Sequence, residues 1–157
     1  MPTSSPSIRA QIGVALADRL ATIQTANGYD HTIKSIFQDK IPQGIDLEEK
    51  DLPAILILDE GGIPTHKQQD IEYARSYRLQ IVDSEVPDTK LAELMRAVNK
   101  AIFANHPTAN ITSEFRFHPR VYQVELGVDE TDLFMIEANR IATFQIVVHY
   151  RTKPYDL

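Results

Sequence analysis

The chain has no cysteine among its 157 residues. That excludes a disulfide framework, thiolate chemistry and any cysteine-ligated metal. Tryptophan is absent as well. No apolar run approaches the ~18–20 residues of a membrane helix. The opening residues, Met1-Pro2-Thr3-Ser4-Ser5-Pro6-Ser7, lack the basic and apolar segments of a secretory signal. Positive charge is in deficit: 16 Lys and Arg face 22 Asp and Glu, a net charge of −6. Gripping nucleic-acid phosphates needs a basic footprint, so this balance argues against that class. Synthesis in the cytosol is expected, with no membrane partner.

Chemical motifs are missing too. The histidines are His31, His66, His106, His118 and His149, and none sits in H-x-x-x-H or H-E-x-x-H spacing. No G-x-G-x-x-G, Walker loop or G-x-S-x-G occurs. Gly61-Gly62 reads as a turn, because no helix start with a lysine follows it. Acidic residues such as Asp59, Glu60, Asp129 and Glu130 fall in turn-like stretches, where solvated charge is the norm. No catalytic, cofactor-binding or metal residue is therefore assigned, and a non-enzymatic protein is expected. The alternative is a small cytosolic enzyme or ligand-binding domain that uses acidic residues with His66 or His118.

What is present is pattern. Apolar residues make up 43% and charged residues 24%, as in an ordinary globular chain with a core. One domain over 1–157 is expected, with a loose lead at 1–6 and a tail at 153–157. The organising stretch is Ile71–Val82. Ile71, Tyr73, Tyr77, Leu79 and Ile81 recur at every second position, and only Arg75 breaks the row. This is the period of a strand with one face on a core. Ile8, Ile12, Leu16, Leu20 and Ile23 predict an amphipathic helix stopped at Asn27-Gly28. His31–Phe37 reads as a short strand, and Gln38–Asp51 as a polar link. Ala54–Leu58 is an unbroken apolar run, suited to a strand buried on both faces. Asp59 to Gln69 reads as a long loop, a candidate contact arm. Leu91, Leu94, Met95, Val98 and Ile102 predict a second helix. Val121–Val128 follows as a strand with Tyr122, Val124, Leu126 and Val128 on one side. Asp129–Asp132 reads as an acidic turn, and Met135–Thr152 as one closing strand. Thr108–Arg120 follows neither period cleanly. The order is α-β-β-β-α-β-β. It describes a two-layer α+β domain, one mostly antiparallel or mixed sheet of four to five strands under two helices.

This arrangement resembles the tail terminator, or tail completion, proteins of long-tailed bacteriophages. The resemblance rests on Ala26-Asn27-Gly28-Tyr29 closing the first helix and on Asp51-Leu52-Pro53-Ala54-Ile55 opening a strand. A long alternating strand, a helix of the Leu91–Phe103 kind and a closing strand like Ile141–Thr152 complete it, over about residues 8–152. The resemblance implies a virion structural protein assembled in the host cytoplasm, with no cofactor. It implies a ring, typically a hexamer, that caps the tail tube and ends tube polymerisation; the alternative within the resemblance is another neck or tail component of the same fold. The implied partners are further copies of the chain, the tail tube protein and the head-completion or neck proteins. Genomic DNA would pass through the channel without specific binding. Because Arg and Tyr are enriched at protein contacts, the candidate subunit and tube interface is His66, Lys67, Gln68, Arg75, Tyr77 and Arg78.

Overall fold

A computed structural model describes residues 6–38, 47–67, 70–84, 88–103, 118–126, 132–136 and 139–153. The expectations for Thr108–Phe117 and for 127–131 fall outside them. Helix α1 spans Ile8–Leu20, and Ser7 caps it by accepting the Ala10 N–H at 3.2 Å. It ends seven residues before the predicted stop. Thr25–Asn27 instead form a separate 3-10 turn, and Gly28, at φ +88, closes that turn. Ile23 remains fully buried past the helix end, which is why the periodic pattern ran on.

Strand β1 is Ser35–Phe37, shorter than the predicted His31–Phe37. Strand β2, Ala54–Lys67, holds the largest correction. The Asp59–Lys67 stretch, read from sequence as loop, continues the strand and pairs antiparallel with β3, Asp70–Asp83, as far as Lys67 opposite Asp70. The glycines that suggested a turn have other tasks. The β2–β3 register shifts between Asp59 and Gly61, so Glu60 is the extra residue of a bulge, and Gly61 takes φ +101. A Cβ on Gly62 would lie 3.1 Å from Tyr73 Cδ1 and 3.3 Å from Arg75 Nη2, tighter than side chains normally pack.

Helix α2 is Asp88–Phe103. Strand β4 is Val121–Leu126, β5 is Asp132–Ile136 and β6 is Asn139–Thr152. The predicted closing strand is therefore two strands, and Asp132 begins β5 instead of ending a turn. The sheet order is β1-β2-β3-β6-β4, and β5 also pairs with β6. β1 runs parallel to β2 and every other pairing is antiparallel, so the fold is α+β with a mostly antiparallel, mixed sheet. β3 and β6 match from Ile71 opposite Thr152 to Asp83 opposite Arg140. β4 slips register between Val121 and Gln123. Of the predicted row Tyr122, Val124, Leu126 and Val128, Val124 is buried as expected, Tyr122 is half-buried, Leu126 is exposed and Val128 lies outside the described residues, while Val121 joins the core instead.

Both helices cover one face of the sheet. Ile12, Leu16 and Leu20 of α1 and Leu91, Leu94 and Val98 of α2 share a core with Ile57, Leu79, Ile81, Phe144 and Ile146. On the opposite face Leu47 and Leu52 cover Ala54, Leu56, Val82 and Ile141. The Ala54–Leu56 run is thus buried from both sides, as its unbroken apolar character requires.

Because φ at Gly61 lies where a Cβ is strained, Gly61→Ala is expected to lower unfolding free energy by about 1–3 kcal/mol. Urea melts of the two chains measure this, and coincident curves would show that the bulge does not need glycine.

Candidate functional site

Arg75 interrupts the apolar row of β3, and the fold leaves it only 6% exposed. A buried guanidinium needs a counter-charge and acceptors for its fork of donors. β2 delivers one. Pairing places Asp59 opposite Tyr77, one step along the same face. Arg75 Nη1 donates to Asp59 Oδ1 at 2.9 Å and to Oδ2 at 3.2 Å, while Nε donates to the Tyr150 hydroxyl at 3.2 Å. Arg75 also lies 5.6 Å from the Tyr73 ring centre, and Tyr73 stacks on Tyr150 with centroids 5.4 Å apart. A second guanidinium reaches the same carboxylate from α1. Arg9 Nε and Nη2 each lie 3.0 Å from Asp59 Oδ2. The Gly61 N–H donates to Oδ1 at 2.9 Å. One carboxylate at the bulge thus ties α1, β2 and β3 together.

Burial pushes the Asp59 pKa up, but the Gly61 N–H, Arg75 and Arg9 outweigh it, so the carboxyl sits below its usual range. Burial also opposes the Arg75 charge, and the contacts to Tyr150 and Asp59 overcome that too. Tyr77 is 2% exposed. Burial first, and the Asp59 charge second, push its hydroxyl well above the ordinary tyrosine range.

The face of the sheet away from the helices carries a different set of contacts. Arg78 Nε donates to Glu60 Oε2 at 3.2 Å, and Gln145 Nε2 donates to Glu60 Oε1 at 3.2 Å. Glu72 accepts from Arg151 Nε at 3.0 Å and from the Tyr122 hydroxyl at 3.4 Å. His149 Nε2 lies 2.7 Å from Glu125 Oε1. Ile63 stands on this face of β2, 73% exposed.

The fold brings three of the six sequence-selected residues to this region of β3: Arg75 and Tyr77 beneath the helices, Arg78 half-buried on the other face. His66 and Lys67 lie in β2 opposite Ile71 and Asp70, with side chains outside the description, as is Gln68 altogether. Sequence reasoning missed Asp59 and Arg9. A signal for Asp59 existed. An arginine inside a core row demands a carboxylate, and Asp59 ends the apolar run that pairs with that row. As for the enzymatic alternative, two cavities flank α1. The first is lined by one carboxylate, Asp59, and the second by one, Asp18, and neither has a histidine. His118 Nε2 lies 3.1 Å from Gln11 Oε1, and burial, then Arg120, lowers its pKa.

No family model matches the chain. No curated protein matches it either. Among solved structures, it is similar to a chain described as "Virion of native gene transfer agent (GTA) particle", with a TM-score of 0.61. The likeness covers 93% of this chain and 96% of that one at 9% identity, so it is a likeness of fold.

Because the Asp59 carboxyl is held below its unfolded value, its contribution to stability is complete above that value, about 3.9, and is lost as pH falls through the folded value. Asp59→Asn is expected to lower stability at neutral pH and to flatten the loss below about pH 4. Chemical denaturation from pH 7 to pH 2 measures both. Parallel pH profiles for the two chains would show that Asp59 is not the coupled group. Tyr77→Ala, at a position almost wholly buried in the core, is expected to cost about 3–5 kcal/mol of folding free energy. A loss below about 1 kcal/mol in a urea melt would show that Tyr77 is not part of the core.

Proposed function

We propose that the chain is a structural virion protein of the tail terminator kind. The observation that carries this reading is the end-to-end likeness of fold to a virion chain, with nearly all of both chains covered. The chain forms a ring, a hexamer in this reading, on the completed tail tube. It ends tube growth and presents the surface to which the head or neck joins. Its partners are further copies of itself, the tube protein and the neck proteins, and DNA passes through the ring without specific contacts.

Physical features support the reading. β1 covers only Ala54–Leu56 of β2, so Ile57–Lys67 form an edge with no strand beside it among the described residues. The bulge at Glu60 and Pro64 interrupt that edge, which opposes indefinite strand-on-strand addition. Side chains rather than a long backbone ladder carry the contact there. Ile63, exposed on the same strand, is the apolar group available for it. His66 and Lys67 end β2 opposite Ile71 and Asp70 and, with Gln68, meet the tube or a neighbouring copy in this reading. Arg78 braces the root of the hairpin through Glu60, and Arg75 and Tyr77 set that root from beneath. Head-to-tail contacts close into a ring when their rotation closes, and a ring with unlike faces stops a polymer that grows on one of them.

Added to polymerising tube subunits of the same phage, the protein is expected to shorten the tubes as its concentration rises. Unchanged tube lengths at saturating protein would sink the reading. Ile63→Asp, at a highly exposed position, is expected to change stability by no more than about 0.5 kcal/mol while weakening the effect on tube length. A variant that folds normally and limits tubes as well as the parent would remove Ile63 from the contact.

A further inference from the structure

A cavity of about 380 Å³ lies between the first turn of α1 and the bulged part of β2. Its lining includes Ser7, Arg9, Ala10, Gln38, Asp59 and Tyr77. It gathers donors that lack acceptors. The Tyr77 hydroxyl is buried with no hydrogen-bond partner among the described residues. An unpaired buried hydroxyl is unfavourable, so a site that keeps one gains from any acceptor that enters. The raised pKa keeps this hydroxyl protonated, as a donor. Arg9 is 55% exposed and spends Nε and Nη2 on Asp59, and no described contact uses Nη1. The cavity also abuts the start of α1, whose first N–H groups have no acceptor inside the helix and form its positive end.

The charge count selects the ligand. Asp59 brings one negative charge, and Arg9 and Arg75 bring two positive ones. The Asp59 oxygens are taken up by both guanidiniums and the Gly61 N–H. What remains is about one positive charge and donors on two sides of a small space. A monoanion with two acceptor oxygens matches this, one oxygen for the Tyr77 O–H and the other for Arg9. A dianion would face the Asp59 charge with one charge uncompensated.

We infer that this cavity is a carboxylate-binding site and, resting on the ring reading, that its carboxylate is an acidic side chain of the neighbouring copy in the ring. A chain with 22 Asp and Glu residues offers such groups abundantly. The site would then complete the hydrogen bonding of Tyr77 only on assembly. It would make the Asp59 cluster at the root of the hairpin a place where one subunit reads the next.

The test titrates sodium acetate into the full chain at constant ionic strength, with sodium chloride as reference. A saturable rise in melting temperature with acetate, absent with chloride, is expected. Tyr77→Phe is expected to melt at the parent temperature or above without acetate, and to bind acetate about tenfold more weakly. Arg9→Gln weakens acetate binding independently of the core. An acetate response no larger than that of chloride, or one undiminished in Tyr77→Phe, overturns the site. A lower melting temperature for ligand-free Tyr77→Phe overturns the premise that its hydroxyl is unpaired. In the tube assay, Tyr77→Phe is expected to limit tube length less well than the parent. Full tube control by Tyr77→Phe with its acetate binding lost overturns the neighbouring copy as the source of the carboxylate. Acetate binding by a parent chain that does not limit tubes supports the site and overturns the ring reading alone.

Discussion

A guanidinium placed in the apolar row of the central strand is the constraint on which the middle of this molecule depends. Arg75 cannot be buried without a counter-ion, and the counter-ion must come from a neighbouring strand or from the layer above. Asp59 supplies it from β2 and is itself held from above by Arg9 of α1. The demands of that pairing shape its surroundings. β2 bulges at Glu60, Gly61 takes a conformation that L-residues avoid, and Gly62 leaves room for Tyr73 and Arg75. Tyr150 reaches Arg75 from β6 and stacks on Tyr73, so the ion pair is linked to all three long strands.

The bulge divides β2 into two parts with different tasks. Before it, Ala54, Ile55, Leu56 and Ile57 are fully buried core strand. After it, Gly62, Ile63, Pro64 and Thr65 are exposed while still paired to β3. A strand that leaves its cover yet stays paired is stiffer than a loop and keeps its side chains in register. That geometry suits a surface meant to meet another protein. Ion pairs on the face away from the helices, from Glu60–Arg78 to Glu72–Arg151, link the long strands to one another beyond the patch that Leu47 and Leu52 cover.

Much of the architecture was legible in the sequence. The period of two in β3 and β6 follows from burial of one face, and the stripe of α2 from burial of one side. The unbroken run at Ala54 announced a strand covered on both sides. Misreadings arose where one local signal has two meanings. Glycine marks both a turn and a bulge, so Asp59–Lys67 read as loop until its pairing with β3 was seen. Buried Ile23 continued a helical period that the backbone had already left. The slip in β4 lets Val121 and Val124, of opposite parity, both face the core, and no single-strand pattern carries a partner's register.

The sequence by itself determined which segments are apolar on which period, because solvent exposure acts on each residue in turn. It therefore settled the two helices, the period of two in β3 and β6 and the anomaly of Arg75. Tertiary structure alone decided what that anomaly is paired with. Arg9 and Arg75 stand 50 and 16 residues from Asp59 along the chain, and only the sheet register and the seat of α1 bring each within 3.0 Å of its carboxylate. Ion pairing depends on distance in space, which composition and spacing do not encode. The same reason explains the Tyr77 hydroxyl, which has no partner among the described residues. A tyrosine in an apolar row announces a buried ring, but whether its oxygen finds an acceptor depends on every element packed around it.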